Sequence, residues 1–334
     1  DSSTSRGLGD VYKRQMFYSA AGGGVLIALM ALFKTYLGSI IDDKVWKGIA
    51  EGLNYGLGFM VIFMLHFTVA TKQPAMTAAR FAEAVEKTPQ GKTVNMKLAQ
   101  LLVDVFRSQS IAVLGNVLIA MGLAALIAFG YQYKTGEPLM NADQIAYQLH
   151  SIDPFAGTLW FSAIAGVWLF CSGIISGYFD NRSNYLNMRM RLTQHPLLKK
   201  LMSEKTRVKF ANYMHENYGS LIGNLCFGML LGITGVVGYL THLPLDIRHV
   251  AFSSANVGYI AVSGHFTYSL LLQCIAFVLL IGLVNLIVSF SLTLWVALRS
   301  LNAEIDSWWP IWHEVCQIVK KRPLSLFLPV QLDK

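Results

Sequence analysis

Apolar and polar positions divide the chain into six long apolar runs, at 17–40, 49–70, 110–131, 155–178, 218–240 and 267–298. About 20 residues, rising about 1.5 Å each, cross a hydrocarbon layer about 30 Å thick. Backbone groups in lipid must be paired within the protein, which leaves helices or a closed barrel. These runs are continuously apolar rather than alternating, so the pattern predicts an all-α, polytopic membrane bundle of about six helices. The last run is long enough to tilt or to emerge at its end.

The first fifteen residues, DSSTSRGLGDVYKRQ, are polar and aperiodic and lack the apolar core of a signal peptide. They read as a non-native leader of the kind that read-through of a sequencing adaptor leaves. The alternative is a genuine polar tail. On the first reading the native chain starts near Met16 and an upstream region is missing. The expected organisation is then a leader at 1–15, a membrane domain at 16–298 and a tail at 299–334. Basic loops fall at 71–109 and 179–217 within the membrane domain. In the tail, Ile311, Trp312, Val315, Ile318 and Val319 recur at helical spacing, followed by Lys320, Lys321 and Arg322. Two readings are open: an amphipathic helix on the inner leaflet, its basic end near anionic lipid, or a helix packed on the missing upstream part.

Composition strengthens the membrane reading. The chain has 334 residues, of which 54% are hydrophobic and 14% charged, with a mean hydropathy of +0.46. An ordinary soluble domain carries about 25% charged residues. A soluble enzyme and a disordered chain are both excluded. Cys171, Cys226, Cys274 and Cys316 show neither metal-ligand spacing nor a disulfide framework.

The net charge of +8 suggests nucleic acid in a soluble protein, but in a membrane protein sidedness comes first. The 71–109 loop holds Lys72, Arg80, Lys87, Lys92, Lys97 and Arg107. The 179–217 loop holds Arg182, Arg189, Arg191, Lys199, Lys200, Lys205, Arg207 and Lys209. The opposite side carries Lys44, Lys47, Lys134 and Arg248. The asymmetry alternates with six spans, so both ends and both basic loops are expected in the cytoplasm, with the protein multi-pass in the bacterial inner membrane. Trp46, Trp160, Trp308, Trp309 and Trp312 lie at span ends, as interfacial aromatics do.

A weak repeat runs through the spans. Gly115-Asn116 opens the third and Gly223-Asn224 the fifth, each followed by an apolar helix, and Gly23-Gly24 echoes them in the first. Three repeated hairpins are one reading; chance similarity of apolar helices is the other. Gly52/Gly56, Gly173/Gly177 and Gly228/Gly232 are GxxxG pairs suited to close helix packing.

Candidate chemistry is sparse. Lys34, Glu51, Asn116, Asn224 and Asn285 form a candidate intramembrane polar set, because such groups need a partner or a cavity. Lys34 and Glu51 match in depth and could pair; Lys34 could instead snorkel. Asn116 and Asn224 suit either interhelical hydrogen bonds or a polar constriction. Outside, His242, Asp246, His249 and His265 crowd one loop, the first three at i, i+4, i+7. A hydrated loop or re-entrant segment with Asp246 against Arg248 or His249 outweighs a metal site, and no metal or other cofactor is expected. The apolar stretch 250–264 is too short to span; it can dip into the outer leaflet or lie as a lid.

Four segments carry a family resemblance: KQPAMTAA at 72–79, FDNRSNYLNMRMRLTQHPLL at 179–198, GSLIGNLCFGMLLG at 219–232 and LPLDIRHVAFSSANVGY at 243–259. Together they resemble the bacterial membrane-protein family named site-specific recombinase, Gcr type, over most of 16–334. In that family this would be the C-terminal membrane half. A recombinase needs a Tyr or Ser nucleophile among converging cations. Tyr185, Arg182, Arg189, Arg191 and His195 share one loop of about 40 residues, too small to grip duplex DNA, so no catalytic residue is assigned. Asp180, Asn181, Arg182, Arg189, Arg191 and His195 stay as a candidate anion or partner contact, against a reading as helix cap and interfacial anchor.

The expected function is a non-catalytic membrane module that anchors or scaffolds the missing upstream cytoplasmic half. A transporter or channel built from repeated hairpins, and DNA recombination, are the alternatives. The expected partners are the bilayer, anionic lipid at the basic loops and tail, and that upstream half. Nucleic acid is not expected for this fragment, and the oligomeric state is left open.

Overall fold

Each apolar run becomes a helix, and the polar segments decide where the helices turn. The structure, a computed structural model, describes residues 2–69, 81–85, 92–263, 266–302, 305 and 307–326, without the side chains of 2–15, 92–94, 324 and 325. The helices are α1 (Ser2–Ile40), α2 (Lys44–Met64), α3 (Lys92–Thr135), α4 (Ala142–Ile152), α5 (Thr158–Tyr185), α6 (Met188–Gln194), α7 (Pro196–Leu201), α8 (Glu204–Thr241), α9 (Val250–Ala261), α10 (Tyr268–Ser300) and α11 (Trp309–Lys321). No strand occurs among the described residues. The fold is an all-α bundle.

Among the described residues five helices are long and apolar enough to cross a membrane: Met16–Ile40, Asn95–Thr135, Thr158–Tyr185, Glu204–Thr241 and Tyr268–Ser300. The expected second span, 49–70, differs. It folds as α2, which begins at Lys44 and stops at Met64. Lys44, Lys47, Glu51 and Asn54 dilute its apolarity. Asp43 caps it by accepting from the Val45 and Trp46 N–H groups. His66, with φ 59°, then turns the chain into an extended stretch. There the Thr68 N–H donates to the Ser19 carbonyl at 3.1 Å. The α2 limb therefore returns to the level of the start of the apolar part of α1, covering the same depth.

Glycine sets the helix crossings. A Cβ on Gly228 would land on the Gly56 nitrogen and Cα, and one on Gly232 on Gly52. These contacts lock α2 to α8 backbone against backbone, antiparallel. Gly24 meets the α3 backbone at Asn116 and Ala120, while Gly115 meets Ala20. Gly177, by contrast, faces open space. The register makes α1, α3 and α8 parallel to one another, the three helices that carry the Gly-Asn or Gly-Gly openings. Gly219 and Gly223 meet Asp180, Ser176 and Ser172, so α5 runs against α8.

α3 and α8, 44 and 38 residues long, extend well beyond about 30 Å of hydrocarbon. Leu98 and Ala99 near the start of α3 pack with Leu294 of α10 and Ile311 of α11. Val315 and Ile318 join them. The tail helix therefore packs on the bundle itself, which neither reading of its amphipathic pattern anticipated. Its apolar face turns to α3 and α10, while Trp309 and Trp312 stay exposed.

The stretch read as a dip or lid is α9, and it sits in the middle of the core. Ten of its twelve residues are buried. It packs against α1, α3 and α10. Gly258 lies on the Met121 backbone, and the Tyr259 hydroxyl donates to the Ala28 carbonyl at 2.7 Å.

A polar cavity at one end of the bundle

Three local structures frame an open cavity of about 480 Å³. The ends of α1 and α2 form one wall. Connector 244–249 and the start of α9 form the second, and α4 forms the rim. α4 is fixed by a capping box: Asn141 accepts from the Gln144 N–H while Gln144 accepts from the Asn141 N–H. That cap presents Asp143, Gln144, Tyr147 and Gln148 to the cavity.

On the first wall the Lys34 Nζ stands 3.5 Å from the Glu51 Oε2. It also lies 5.7 Å from the centre of the Tyr55 ring, a cation–π distance. Glu51 is largely buried, at 14% exposure, and Lys34 half-exposed at 39%. Pairing lets a carboxylate sit this deep, because an isolated buried charge is costly.

On the second wall the Arg248 Nη1 donates to the Asp246 Oδ2 at 2.6 Å. Its Nε donates to the Ser151 carbonyl at 2.8 Å, and Nη1 also reaches the Ile247 carbonyl. The guanidinium lies over Phe161 at 5.3 Å. Trp160 donates to the Pro244 carbonyl at 3.0 Å and fixes the connector from α5. His249 lies buried beneath, and its Nδ1 accepts from the Ala251 N–H at 3.4 Å. Its ring meets Phe59, Phe227 and Phe252 edge-on.

The cavity thus unites two groups that the sequence kept apart: Lys34 and Glu51 with Asp246, Arg248 and His249. The membrane asparagines do not join it. Asn116 donates to the Ala20 and Thr68 carbonyls, and Asn224 to Ser220 within its own helix at 2.8 Å. Asn285 accepts from the Val250 N–H at 3.1 Å and donates to the Ser162 and Arg248 carbonyls. It is the clamp on the start of α9. His242 ends α8 in a left-handed conformation, and 244–249 is not helical, so His242, Asp246 and His249 share no helix face. Among the described residues no group of three metal-ligating side chains forms; His265 lies outside them. Tyr55, Asp143, Gln144 and Tyr147 were not picked out in the sequence. The Asn141–Gln144 spacing was the available signal for α4.

The second candidate group lies at the opposite end. Asn181, Arg182, Arg189, Arg191 and His195 are exposed there, on the end of α5, on α6 and at the α6–α7 junction. Arg189 pairs with Glu216 at 3.5 Å. Asp180 accepts from the Gly219 N–H at 3.0 Å and ties α5 to α8. Tyr185 is exposed beside them. The segment KQPAMTAA at 72–79 lies outside the described residues.

No protein of curated function and no solved structure matches the chain significantly. A family model described as site-specific recombinase matches residues 12–329, nearly the whole chain, and the match carries the family name without placing a catalytic group. The chain belongs to the site-specific recombinase family.

Proposed function

We propose that the chain is a non-catalytic membrane module of this family, a rigid helical scaffold for cytoplasmic parts of the protein. One observation carries the reading: the helix crossings are closed backbone to backbone at Gly56–Gly228 and Gly52–Gly232. Packing of this kind resists the rocking that alternating access requires. Asn116 and Asn285 clamp the backbone of neighbouring elements, and Asn224 bonds within its own helix. The basic ends of α5 to α8 and the tail helix lie together at one end, which the positive-inside bias assigns to the cytoplasm of a bacterial inner membrane. Anionic lipid is the natural partner of Lys320, Lys321 and Arg322 there.

The test is a full chain carrying Gly48→Cys and Val236→Cys, oxidised to fix α2 on α8. A scaffold keeps an attached cytoplasmic reporter in the membrane fraction, resistant to carbonate extraction, whether locked or not. Solute flux in proteoliposomes that the lock abolishes would overturn the reading in favour of transport. That second reading rests on the polar cavity beside Glu51. DNA recombination would be supported by salt-sensitive strand exchange lost on replacing Tyr185 or Arg182.

A further inference from the structure

The polar cavity holds a charge pattern that a scaffold does not need. Lys34, Lys47 and Arg248 line it together with Glu51, Asp143 and Asp246. Cations and carboxylates balance, three of each, and four of the six form a Lys34–Glu51 pair on one wall and an Arg248–Asp246 pair on the other. Asn141, Gln144, Gln148 and Asn256 line it as well. Tyr55 and Phe252 also line it, their rings tilted against each other with centres 4.4 Å apart.

This pattern selects among ligands. A molecule with one net charge leaves an uncompensated charge in a partly desolvated site. An uncharged polyol leaves both ion pairs closed on themselves and gains little from either wall. A zwitterion offers an anion to Lys34 or Arg248 and a cation to Glu51 or Asp246, and keeps the site neutral. Its ammonium can also lie over the Tyr55 face, where Lys34 now sits. A volume of about 480 Å³ falls within the usual small-molecule range of about 300–1,000 Å³.

We propose that this cavity binds a small zwitterion, a primary ammonium joined to a carboxylate or phosphate. The chemistry has two sources, a free amino-acid-like solute or a phosphoethanolamine lipid headgroup. The proposal stands independently of the scaffold reading, since a rigid bundle can carry a ligand site.

The experiment uses the full chain. Equilibrium dialysis with radiolabelled glycine, alanine and glutamine covers the solute source. Thermal unfolding in phosphatidylethanolamine against phosphatidylglycerol nanodiscs covers the headgroup, with sucrose as the neutral control. The expected result is saturable binding of a free zwitterion or a selective rise in melting temperature with phosphatidylethanolamine. Glu51→Gln and Arg248→Gln should each weaken it by about tenfold or more. If either fails to fold, Gln148→Trp fills the cavity from α4 and leaves both ion pairs in place. It should abolish binding while the unfolding temperature without ligand is unchanged. No saturable response to any zwitterionic probe, binding of sucrose alone, or full affinity in Gln148→Trp would each overturn the proposal.

Discussion

Gly228 of α8 crosses α2 directly on the backbone of Gly56, with no side chain between them. Any Cβ at 228 must push the two helices apart. Gly228→Val is expected to destabilise the bundle by about 2–3 kcal/mol. Gly122, which has nothing within 4 Å of a built Cβ, is the control. Gly122→Ala should be neutral or stabilising by up to about 1 kcal/mol. Thermal unfolding in detergent measures both, and equal effects would refute the crossing.

The Gly-Asn openings of α3 and α8 look alike in sequence but bear different loads. Asn116 joins α3 to α1 and to the extended chain after α2. Asn224 bonds within its own helix. Asn116→Leu should cost about 2–3 kcal/mol, since it strands the Thr68 carbonyl and removes the bond to the Ala20 carbonyl. Asn224→Leu should cost about 1 kcal/mol or less. Matching losses in chemical denaturation would contradict the difference in partners.

A Cβ built on Gly48 lies 3.6 Å from the Val236 Cβ, close to the mean separation in disulfides of about 3.8 Å. The pair Gly48→Cys and Val236→Cys should therefore oxidise with only a slight adjustment at the Gly232 carbonyl, because the mutation also removes the valine methyl that crowds Gly48. Mobility on non-reducing gels after mild oxidation reads the outcome. A pair that stays reduced would show that α2 and α8 do not meet in this register.

Sidedness can be read by thiol labelling. Cys316 is exposed, so Cys316→Ser gives the background. His195→Cys should react with a membrane-impermeant maleimide only in inverted vesicles, and Asp143→Cys only from outside intact cells. Labelling of both from the same side would remove the topology on which the scaffold reading relies.

The sequence made helices legible wherever apolarity alone decided them. The run at 267–298 matches α10 to within two residues at each end, and the extra turns of α3 and α8 follow from basic loops that continue as helix. α2 was harder to place. Its charged first turns belong to a cavity wall rather than to a loop, so hydropathy put the span too late. The asparagines show a different gap. Whether a buried amide lines a path or clamps a backbone depends on which neighbouring carbonyl is left over, and the Thr68 carbonyl becomes available only because His66 breaks the helix. The union of Lys34 and Glu51 with Asp246 and Arg248 depends on a connector folding inward, which periodicity does not encode. The packing of α11 on α3 through Ile311 likewise joins segments some two hundred residues apart.

The inward fold of α9 has a consequence for the order in which the chain is built. α9 is apolar on nearly every face and too short to cross a bilayer, so its backbone ends must be satisfied by protein. The clamp for its first amide is Asn285, on a helix synthesised later. When it leaves the ribosome, α1 and α3 are already made and supply two of its walls, but the α10 wall and Asn285 are still to come. Its seat is therefore complete only once α10 has been made, so the centre of the bundle depends on a helix near the end of the chain.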